Sequence, residues 1–247
     1  MGPGRAEGLS GSGLKLIAIV TMFLDHIGAA ILESPVVWAF LGSGEEIDPF
    51  FNSSALALCR DVDLVFRFAG RIAFPIFCFL LVEGFLHTRS LPRYMGRMAA
   101  FALLSEIPYD LAFEEGWFDS KSQNVYFTLL LGLLAMAAVR YLLPRSALLA
   151  LAGAAGCAVL AQLLRADYGA FGVVLILLLY ILRDREPART VIGSLALCWE
   201  ITAPLAFLPI RRYNGQRGRL GGKWFFYGFY PAHILLLWGF RVMVFGG

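Results

Sequence analysis

The chain has 247 residues, of which 59% are hydrophobic and 16% are charged, and its net charge is only +3. This composition excludes an ordinary soluble domain and predicts an integral membrane protein. It also argues against nucleic-acid binding, because the basic residues lie in short segments between apolar runs instead of forming a stripe on a polar domain. The four cysteines and three histidines show no metal-ligand spacing, so we expect no metal site.

Hydropathy predicts an all-α, polytopic membrane bundle of about eight transmembrane helices, with a range of seven to ten. We expect a flexible N-terminus over residues 1–13 and a single transmembrane domain over residues 14–247. The apolar stretch 36–41 is too short to cross a bilayer and is expected to be re-entrant or interfacial. The predicted spans are 14–32, 66–86, 94–113, 125–143, 147–164, 168–182, 191–210 and 224–244.

The first predicted span carries two ionisable residues, Asp25 and His26, deep inside its apolar run. One Asp at the centre of a membrane helix costs about 2.5–3.5 kcal/mol, whereas each Leu, Ile, Val or Phe gains only about 0.3–0.6 kcal/mol. Residues kept at this cost should face the protein interior, where partners satisfy them. Asp25 and His26 are therefore the predicted chemical centre.

Lysine and arginine concentrate in alternate loops, which the positive-inside rule assigns to the cytoplasm together with the N-terminus. One loop breaks the alternation, because the basic residues between the seventh and eighth predicted spans fall on the outer side. Either a span is miscounted, with re-entrant geometry near residues 36–41, or these charges have a specific task. The residues concerned are Arg211, Arg212, Arg217, Arg219 and Lys223.

The second predicted span places Arg67 and Arg71 one helical turn apart, and Pro75 removes the backbone hydrogen bond to the Arg71 carbonyl. Arg67 is expected to snorkel to the outer interface. Arg71 and Glu83 lie deeper, and an unpaired charge at that depth is costly. We therefore expect Arg71 to join Asp25 or Glu83 in an interhelical charge network near the membrane midplane.

Further polar residues occur at the ends of later spans. Glu106 precedes Pro108, which is expected to unwind the last turn and leave Glu106 able to bond across helices. Asn124 is the predicted N-cap of the fourth span, and Thr128 lies one turn further on. Spans five and six are expected to be packing helices without chemistry. The residues expected to form a substrate-binding or charge network are Arg71, Glu83, Glu106, Thr128 and Tyr230.

The last third of the chain holds the sequences YNGQRG at 213–218 and KWFFYGFYPAH at 223–233. A glycine-rich basic loop offers N–H groups and arginines that suit a phosphate-bearing ligand. Alternatively, it is a basic interfacial loop that contacts anionic lipid beside an aromatic belt. His233 follows Pro231 by two residues, inside an apolar helix. The loop residues expected to bind the ligand are Asn214, Arg217, Arg219 and Lys223.

Five sequence blocks, spread over nearly the whole chain, are LKLIAIVTMFLDHIG, GRIAFPIFCFLLVEGFLHT, RYMGRMAAFALLSEIPYDLAF, NVYFTLLLG and YNGQRG…FFYGFYPAH. In this order they resemble the TraX family, which is named for acetylation of F-type pilin at its N-terminus. The family is similar to the polytopic acyltransferases that take acyl groups from acyl-CoA. The resemblance implies an acetyltransferase of the bacterial cytoplasmic (inner) membrane, with His26 as its essential intramembrane histidine.

The implied reaction moves an acetyl group from acetyl-CoA to an amine or hydroxyl of a peptide, a surface glycan or a small molecule. It needs a base for the acceptor's proton and a donor for the developing oxyanion. His26 is the expected base. Asp25 lies about 100° round the helix from His26, so it is expected to pair with a cation, to orient a second histidine or to fix packing. We expect the thioester between spans one, two and eight, with His26 and His233 near its carbon.

Two functions of other classes fit the same residues. A transporter lined by these ionisable groups would show paired broken helices and repeat symmetry, and no repeat is evident. A non-catalytic assembly factor for a surface structure would not need His26. Acetyl-CoA turnover is the observation that separates these alternatives.

Overall fold

The computed structural model describes residues 8–34, 37, 49–114, 116–117, 121–219 and 222–245. Every named element in this part of the chain is helical, which confirms the predicted all-α membrane bundle. Among the described residues, four helical stretches are long and apolar enough to cross a bilayer, and two further apolar helices are shorter. Apart from Val37, the predicted interfacial stretch 36–41 lies outside the described residues. The four long apolar stretches are Gly11–Leu32, Ala57–His87, Val125–Leu142 and Trp224–Phe245.

The helices follow most of the predicted spans closely, and polar residues cap several of their first turns. The Asn124 side chain accepts a hydrogen bond from Tyr126 N–H at 3.0 Å, which confirms the predicted N-cap. The core lies where α3, α5 and α7 meet. In chain order the helices are α1 (Gly11–Ile27), α2 (Pro49–Gly70), α3 (Ala73–His87), α4 (Leu91–Tyr109), α5 (Val125–Leu142), α6 (Ala147–Leu163), α7 (Gly169–Ile181), α8 (Glu186–Ala196), α9 (Phe207–Arg211) and α10 (Lys223–Phe245).

Two helices end in π-helical turns, α1 in Gly28–Leu32 and α4 in Asp110–Glu114. The second turn begins two residues after Pro108, so the proline is followed by a widened turn and not by the unwound one that we predicted. The buried Arg241 of α10 donates hydrogen bonds of 3.0–3.2 Å to carbonyls in both turns. Helix-end carbonyls buried in an apolar environment need such donors, so Arg241 ties three helices together.

The second predicted span is longer than expected and is broken. Helix α2 reaches back to residue 49, and a two-residue turn at Arg71 and Ile72 separates it from α3. Pro75 falls in the first turn of α3, where a helix does not require the missing N–H. The break therefore precedes the proline and brings the Arg71 side chain to the junction of the two helices.

The prediction of a membrane-crossing helix over residues 191–210 is wrong, because this segment is a helical hairpin. Its first leg is α8, and its second leg is a 3₁₀ turn, Ala203–Ala206, followed by α9. Arg211 Nε lies 3.1 Å from Glu186 Oε1, so the two ends of the hairpin meet. Gly193 faces the Phe207 ring so closely that a Cβ there would lie 2.2 Å from it. Glycine therefore lets the two legs pack together, and the chain returns to the end of the bundle that it left.

This hairpin resolves the apparent break in the charge pattern. Within the described residues the chain passes between the two ends of the bundle seven times, through α1, α2 with α3, α4, α5, α6, α7 and α10. Because the hairpin returns, residues 212–219 lie at the same end as the other arginine-rich loops. We call this end, which carries the start of α1, the α3–α4, α5–α6 and α7–α8 loops and residues 212–219, the basic end.

The start of the described chain is fastened to the basic end. Residues 8–13, which we predicted to be part of a flexible N-terminus, pair with the later loop, and α1 already begins at Gly11. Carbonyl oxygens of residues 212–217 accept hydrogen bonds from N–H groups that have no intrahelical partner at the start of a helix. The backbone hydrogen bonds, of 2.7–3.0 Å, run from Leu9 to Arg212, from Gly11 to Gln216 and from Ser12 to Arg217.

The hairpin topology makes a testable prediction for single cysteines placed in a variant that lacks the four native ones. Gln216→Cys and Asp184→Cys should react with an impermeant thiol reagent from the same side of the membrane, because the hairpin returns between them. Lys121→Cys, in the loop between α4 and α5, should react from the opposite side. Labelling of Gln216→Cys together with Lys121→Cys would mean that residues 191–210 cross the membrane after all.

Candidate active site

The two intramembrane histidines meet in the middle of the bundle. His26 Nδ1 lies 2.6 Å from His233 Nε2, and the two rings are nearly parallel, with centroids 4.8 Å apart. His233 is buried, and its Nδ1 lies 2.6 Å from the Phe229 carbonyl oxygen one turn earlier in α10. The structure thus brings together the two histidines that the sequence placed 207 residues apart.

Aromatic side chains surround this histidine pair. Phe113, from the π-helical turn after α4, and the buried Tyr230 both pack edge-on against the His26 ring, at 5.5 and 5.7 Å. The Phe229 ring stacks on His233 at 4.6 Å, and Phe23 meets it edge-on at 5.8 Å. These contacts fix the planes of both imidazoles in a largely apolar environment.

Asp25 is paired, but its partner is Arg67 and not the expected Arg71. Arg67 Nη1 lies 2.8 Å from Asp25 Oδ2, and Arg67 Nε lies 3.1 Å from Glu33 Oε1. Arg67 therefore does not snorkel to the interface as predicted. The pair forms because α1 and α2 cross at glycines: a Cβ on Gly70 would lie 2.2 Å from Asp25 Cβ, and one on Gly28 would lie 2.9 Å from Arg67 Cδ.

Arg71 forms its ion pair with Glu200, at the tip of the hairpin. The Arg71 Nε to Glu200 Oε2 distance is 3.0 Å, and Arg71 also makes a side-chain hydrogen bond with Tyr168. Thr202 Oγ1 donates to the Phe68 carbonyl at 2.5 Å, which anchors the same tip to the end of α2. Sequence reasoning missed Glu200, because it assigned that residue to the middle of an apolar span.

Asp167, in the turn between α6 and α7, also lies in this charged region. It was not predicted from the sequence. Its burial, reinforced by the nearby Asp25 carboxylate, raises the pKa of Asp167 to about 6. The Asp167 carbonyl accepts a hydrogen bond from Thr128, whose side chain is fully buried. An acidic residue between two apolar runs was the available signal, but a turn residue is more often exposed.

Glu106 bonds across helices as expected, and its partner is Asn124. The Glu106 carboxylate accepts hydrogen bonds from both the backbone N–H of Asn124, at 2.9 Å, and its side-chain amide. The same amide donates to the Ala102 carbonyl at 2.8 Å. Glu106 therefore holds the first turn of α5 against α4 and does not contact the histidine pair within the described hydrogen bonds.

A cavity of about 910 Å³ opens at the basic end and runs between α1, α3, α4 and α10 towards the membrane interior. Among the described residues, its wall carries several cationic side chains but a single carboxylate, Glu83. The Nε of Arg97 is buried there and has no hydrogen-bond partner within the described part of the chain. Such a lining suits an anionic ligand. The cationic lining residues are Lys15, Arg89, Arg93, Arg97 and Arg217.

The cavity ends one aromatic layer from the histidine pair. Tyr126 and Tyr227 form its inner wall, and the Tyr126 hydroxyl donates to the Tyr227 carbonyl at 3.0 Å. Tyr126 packs edge-on against Tyr230 at 5.2 Å, and Tyr230 in turn contacts both histidines. At 1.5 Å per residue, the six residues from Tyr227 to His233 span about 9 Å along α10.

The predicted loop residues are only partly in this cavity. Arg217 lines it, and Asn214 instead shapes the loop, since its side chain accepts a hydrogen bond from Gln216 N–H at 2.9 Å. Arg219 lines a separate depression of about 420 Å³ beside the start of α1. Lys223 begins α10, but its side chain lies outside the described residues.

The cationic residues at the start of α4 were overlooked as site residues. Arg93 and Arg97 lie one turn apart on one face of the helix, and this i, i+4 spacing was the signal that could have found them. The positive-inside rule already accounts for basic residues next to this loop, so the sequence alone indicated no binding role for them. Among the described residues, no three His, Cys, Asp or Glu side chains converge as a metal site would require.

The Asp25–Arg67 pair should contribute to stability, because both side chains are at least three-quarters buried. Arg67→Leu leaves the carboxylate of Asp25 without its partner, and we expect it to lower the free energy of unfolding by about 2–4 kcal/mol. Arg60→Leu is the matched control on the same helix, since Arg60 pairs with Asp61 in an exposed position. Unfolding in detergent should separate the two variants, and equal stabilities would contradict a structural role for the buried pair.

Comparison with known proteins places the chain in a family. The TraX protein family matches residues 10–241, which include both histidines and the basic cavity. A relative from Dichelobacter nodosus, described as "Probable fimbrial assembly protein FimC, serogroup H1", is 32% identical over 259 residues, covering 91% of this chain and 92% of the relative. No solved structure matches the chain. The chain is therefore a member of the TraX family.

Proposed function

We propose that the protein is an acetyl-CoA-dependent acetyltransferase of the bacterial cytoplasmic membrane, with the histidine pair as its reaction centre. The observation that carries the proposal is the position of the 910 Å³ basic cavity, one aromatic layer from the His26–His233 pair. A cationic entrance, a deep channel and a base inside the membrane are what transfer from a phosphate-bearing thioester requires.

The chemistry needs one proton acceptor and one oxyanion donor. The acceptor's amine or hydroxyl attacks the thioester carbonyl, and His26 takes the proton that the acceptor loses. When the tetrahedral intermediate collapses, the C–S bond breaks and the thiolate of coenzyme A recovers that proton from His26. The buried Tyr230 hydroxyl, which accepts a hydrogen bond from Val125 N–H, is the donor that we assign to the oxyanion.

The basic cavity supports a donor that carries several phosphates at one end and a reactive group at the other. The cationic side chains of its described lining would hold the phosphates near the entrance. From Lys15 at the rim to His26, α1 advances eleven residues, or about 17 Å. A donor with a long flexible arm, such as coenzyme A, suits this separation between the charged entrance and His26.

Sidedness follows from the charge pattern. With the hairpin returning to the basic end, all the arginine-rich loops lie together, and the positive-inside rule assigns that end to the cytoplasm. Acetyl-CoA would then enter from the cytoplasm. The acceptor would reach His26 from the opposite end, past Phe113 and the charged residues around Asp25. A peptide N-terminus that emerges on that side would fit this arrangement.

The relative's description as a probable fimbrial assembly protein is compatible with pilin as the acceptor. It also favours a second candidate, a non-catalytic assembly factor. The two candidates differ in whether acetyl-CoA is cleaved and whether His26 is needed, so one substitution tests both.

His26→Ala should leave the protein folded in the membrane but lower the rate of acetyl transfer by about 10²–10⁴-fold, because it removes the base. His87→Ala is the control for loss of an imidazole, and it is compared through kcat at saturating acetyl-CoA because exposed His87 lines the mouth of the cavity. Thiol release from acetyl-CoA by purified protein measures the effect. A folded His26→Ala protein with full turnover would rule out His26 as the base, and wild-type protein without turnover would favour the assembly factor.

Charge reversal in the loop at 212–219 should distinguish phosphate binding from contact with lipid. Arg217→Glu should raise the KM for acetyl-CoA by about tenfold or more without changing kcat, because Arg217 lines the cavity. Arg219→Glu is the matched control two residues away, outside the cavity. Equal effects of the two substitutions, or unchanged kinetics in both, would contradict a donor site here.

A further inference from the structure

The hydrogen bonds of the histidine pair fix where each proton lies. His233 Nδ1 lies 2.6 Å from the Phe229 carbonyl oxygen, and a carbonyl can only accept a hydrogen bond. His233 Nδ1 must therefore carry a proton. In a neutral imidazole the other nitrogen then carries none, so His233 Nε2 is an acceptor.

The protonation of His233 determines which nitrogen of His26 carries the proton. His233 Nε2 faces His26 Nδ1 at 2.6 Å, and one of the two atoms has to supply the hydrogen. Since His233 Nε2 is the acceptor, His26 Nδ1 donates. The only ring nitrogen of the pair left with a free lone pair is His26 Nε2.

Both rings should be neutral in the resting protein. A protonated imidazole would be a charge buried in a largely apolar environment, and two of them at this distance would also place like charges side by side. Arg67, which pairs with Asp25 directly beside His26, adds a further positive charge to the surroundings. The tautomers therefore follow from one fixed acceptor, the carbonyl of Phe229.

From this chain of hydrogen bonds we infer that His26 accepts the substrate's proton through Nε2 and that His233 is a positioning residue. His233 holds Nδ1–H of His26 in place and shares the positive charge when Nε2 becomes protonated. It does not itself exchange a proton with the substrate. This inference rests on the proposed function for its kinetic part, whereas the tautomers can be measured without any activity.

Two contacts with Phe229 set the orientation of the His233 ring. The ring stacks on Phe229 at 4.6 Å while its Nδ1 bonds to the carbonyl of the same residue. Both contacts come from one turn of α10, so the orientation of His233 is set within its own helix. It therefore acts as a fixed acceptor, against which the imidazole of α1 is aligned.

The direct test is ¹⁵N NMR of the full-length protein in detergent, with labelled histidine. The chain has three histidines, and the His26→Ala and His233→Gln variants assign the signals, with exposed His87 as the reference. We expect protonated Nδ1 and unprotonated Nε2 in both His26 and His233. A proton on Nε2 of His26 in the neutral wild-type protein would overturn the inference.

The kinetic test compares two substitutions of His233. Gln offers a carbonyl oxygen to accept from His26 and an amide N–H to donate to Phe229, whereas Phe offers neither. His233→Phe should lower kcat by about 10²-fold or more with little change in the KM for acetyl-CoA, and His233→Gln should recover most of the loss. Full activity in His233→Phe, or no recovery in His233→Gln, would overturn the positioning role.

These two tests separate the inference from the proposed function. Wild-type protein that never cleaves acetyl-CoA would remove the proposed function, and the NMR signals would still decide the tautomers. Wild-type protein that transfers acetyl groups but carries its proton on Nε2 of His26 would keep the function and remove the inferred roles.

Discussion

The constraint on which this structure depends is that a polar group inside a membrane must find its partner within the protein. Arg67 lies between Asp25 and Glu33, Arg71 meets Glu200, and two carbonyl-rich π-helical turns receive the guanidinium of Arg241. Each of these contacts joins elements that are distant in the sequence. The polar residues thus determine which helices are neighbours, and the apolar residues fill the space between them.

Where a helix is broken, backbone groups become available for hydrogen bonds to other helices. Pro231 has no N–H for the Tyr227 carbonyl, and the hydroxyl of Tyr126 bonds to that oxygen instead. This bond connects α5 to α10 at the inner wall of the basic cavity. The break at Arg71 similarly opens a place where the hairpin tip docks. The break at Pro231 therefore lies at the inner wall of the cavity, and the π-helical turn after α4 brings Phe113 against the His26 ring.

The hairpin relates the charge pattern to the proposed reaction. A crossing helix over 191–210 would separate Arg217 from the arginines of α4 by the thickness of the membrane. Because the segment returns, Arg217 joins Arg93 and Arg97 around one cavity. Their combined positive charge can attract and hold a phosphate-bearing donor more strongly than any one of them. In the proposed reaction, the same topology would leave the opposite end of the bundle to the acceptor.

The sequence by itself determined the membrane environment, most helices and the position of His26 inside a membrane helix, because hydropathy and the cost of a buried ionisable group act locally along the chain. It also identified the residues 213–233 as a second polar concentration and, through resemblance, the family. Only the tertiary structure decided the ion-pair partners, Arg67 for Asp25 and Glu200 for Arg71, and the direct hydrogen bond between His26 and His233, which were expected only to lie near one substrate atom. The physical reason is that pairing between helices depends on close approach, which Gly28 and Gly70 allow for α1 and α2. Glu200 reaches Arg71 because it lies in a turn, and averaging hydropathy over residues 191–210 assigns that turn to an apolar span. Distances of 2.6–3.0 Å are set by the packing of whole helices, which no local pattern in the sequence records.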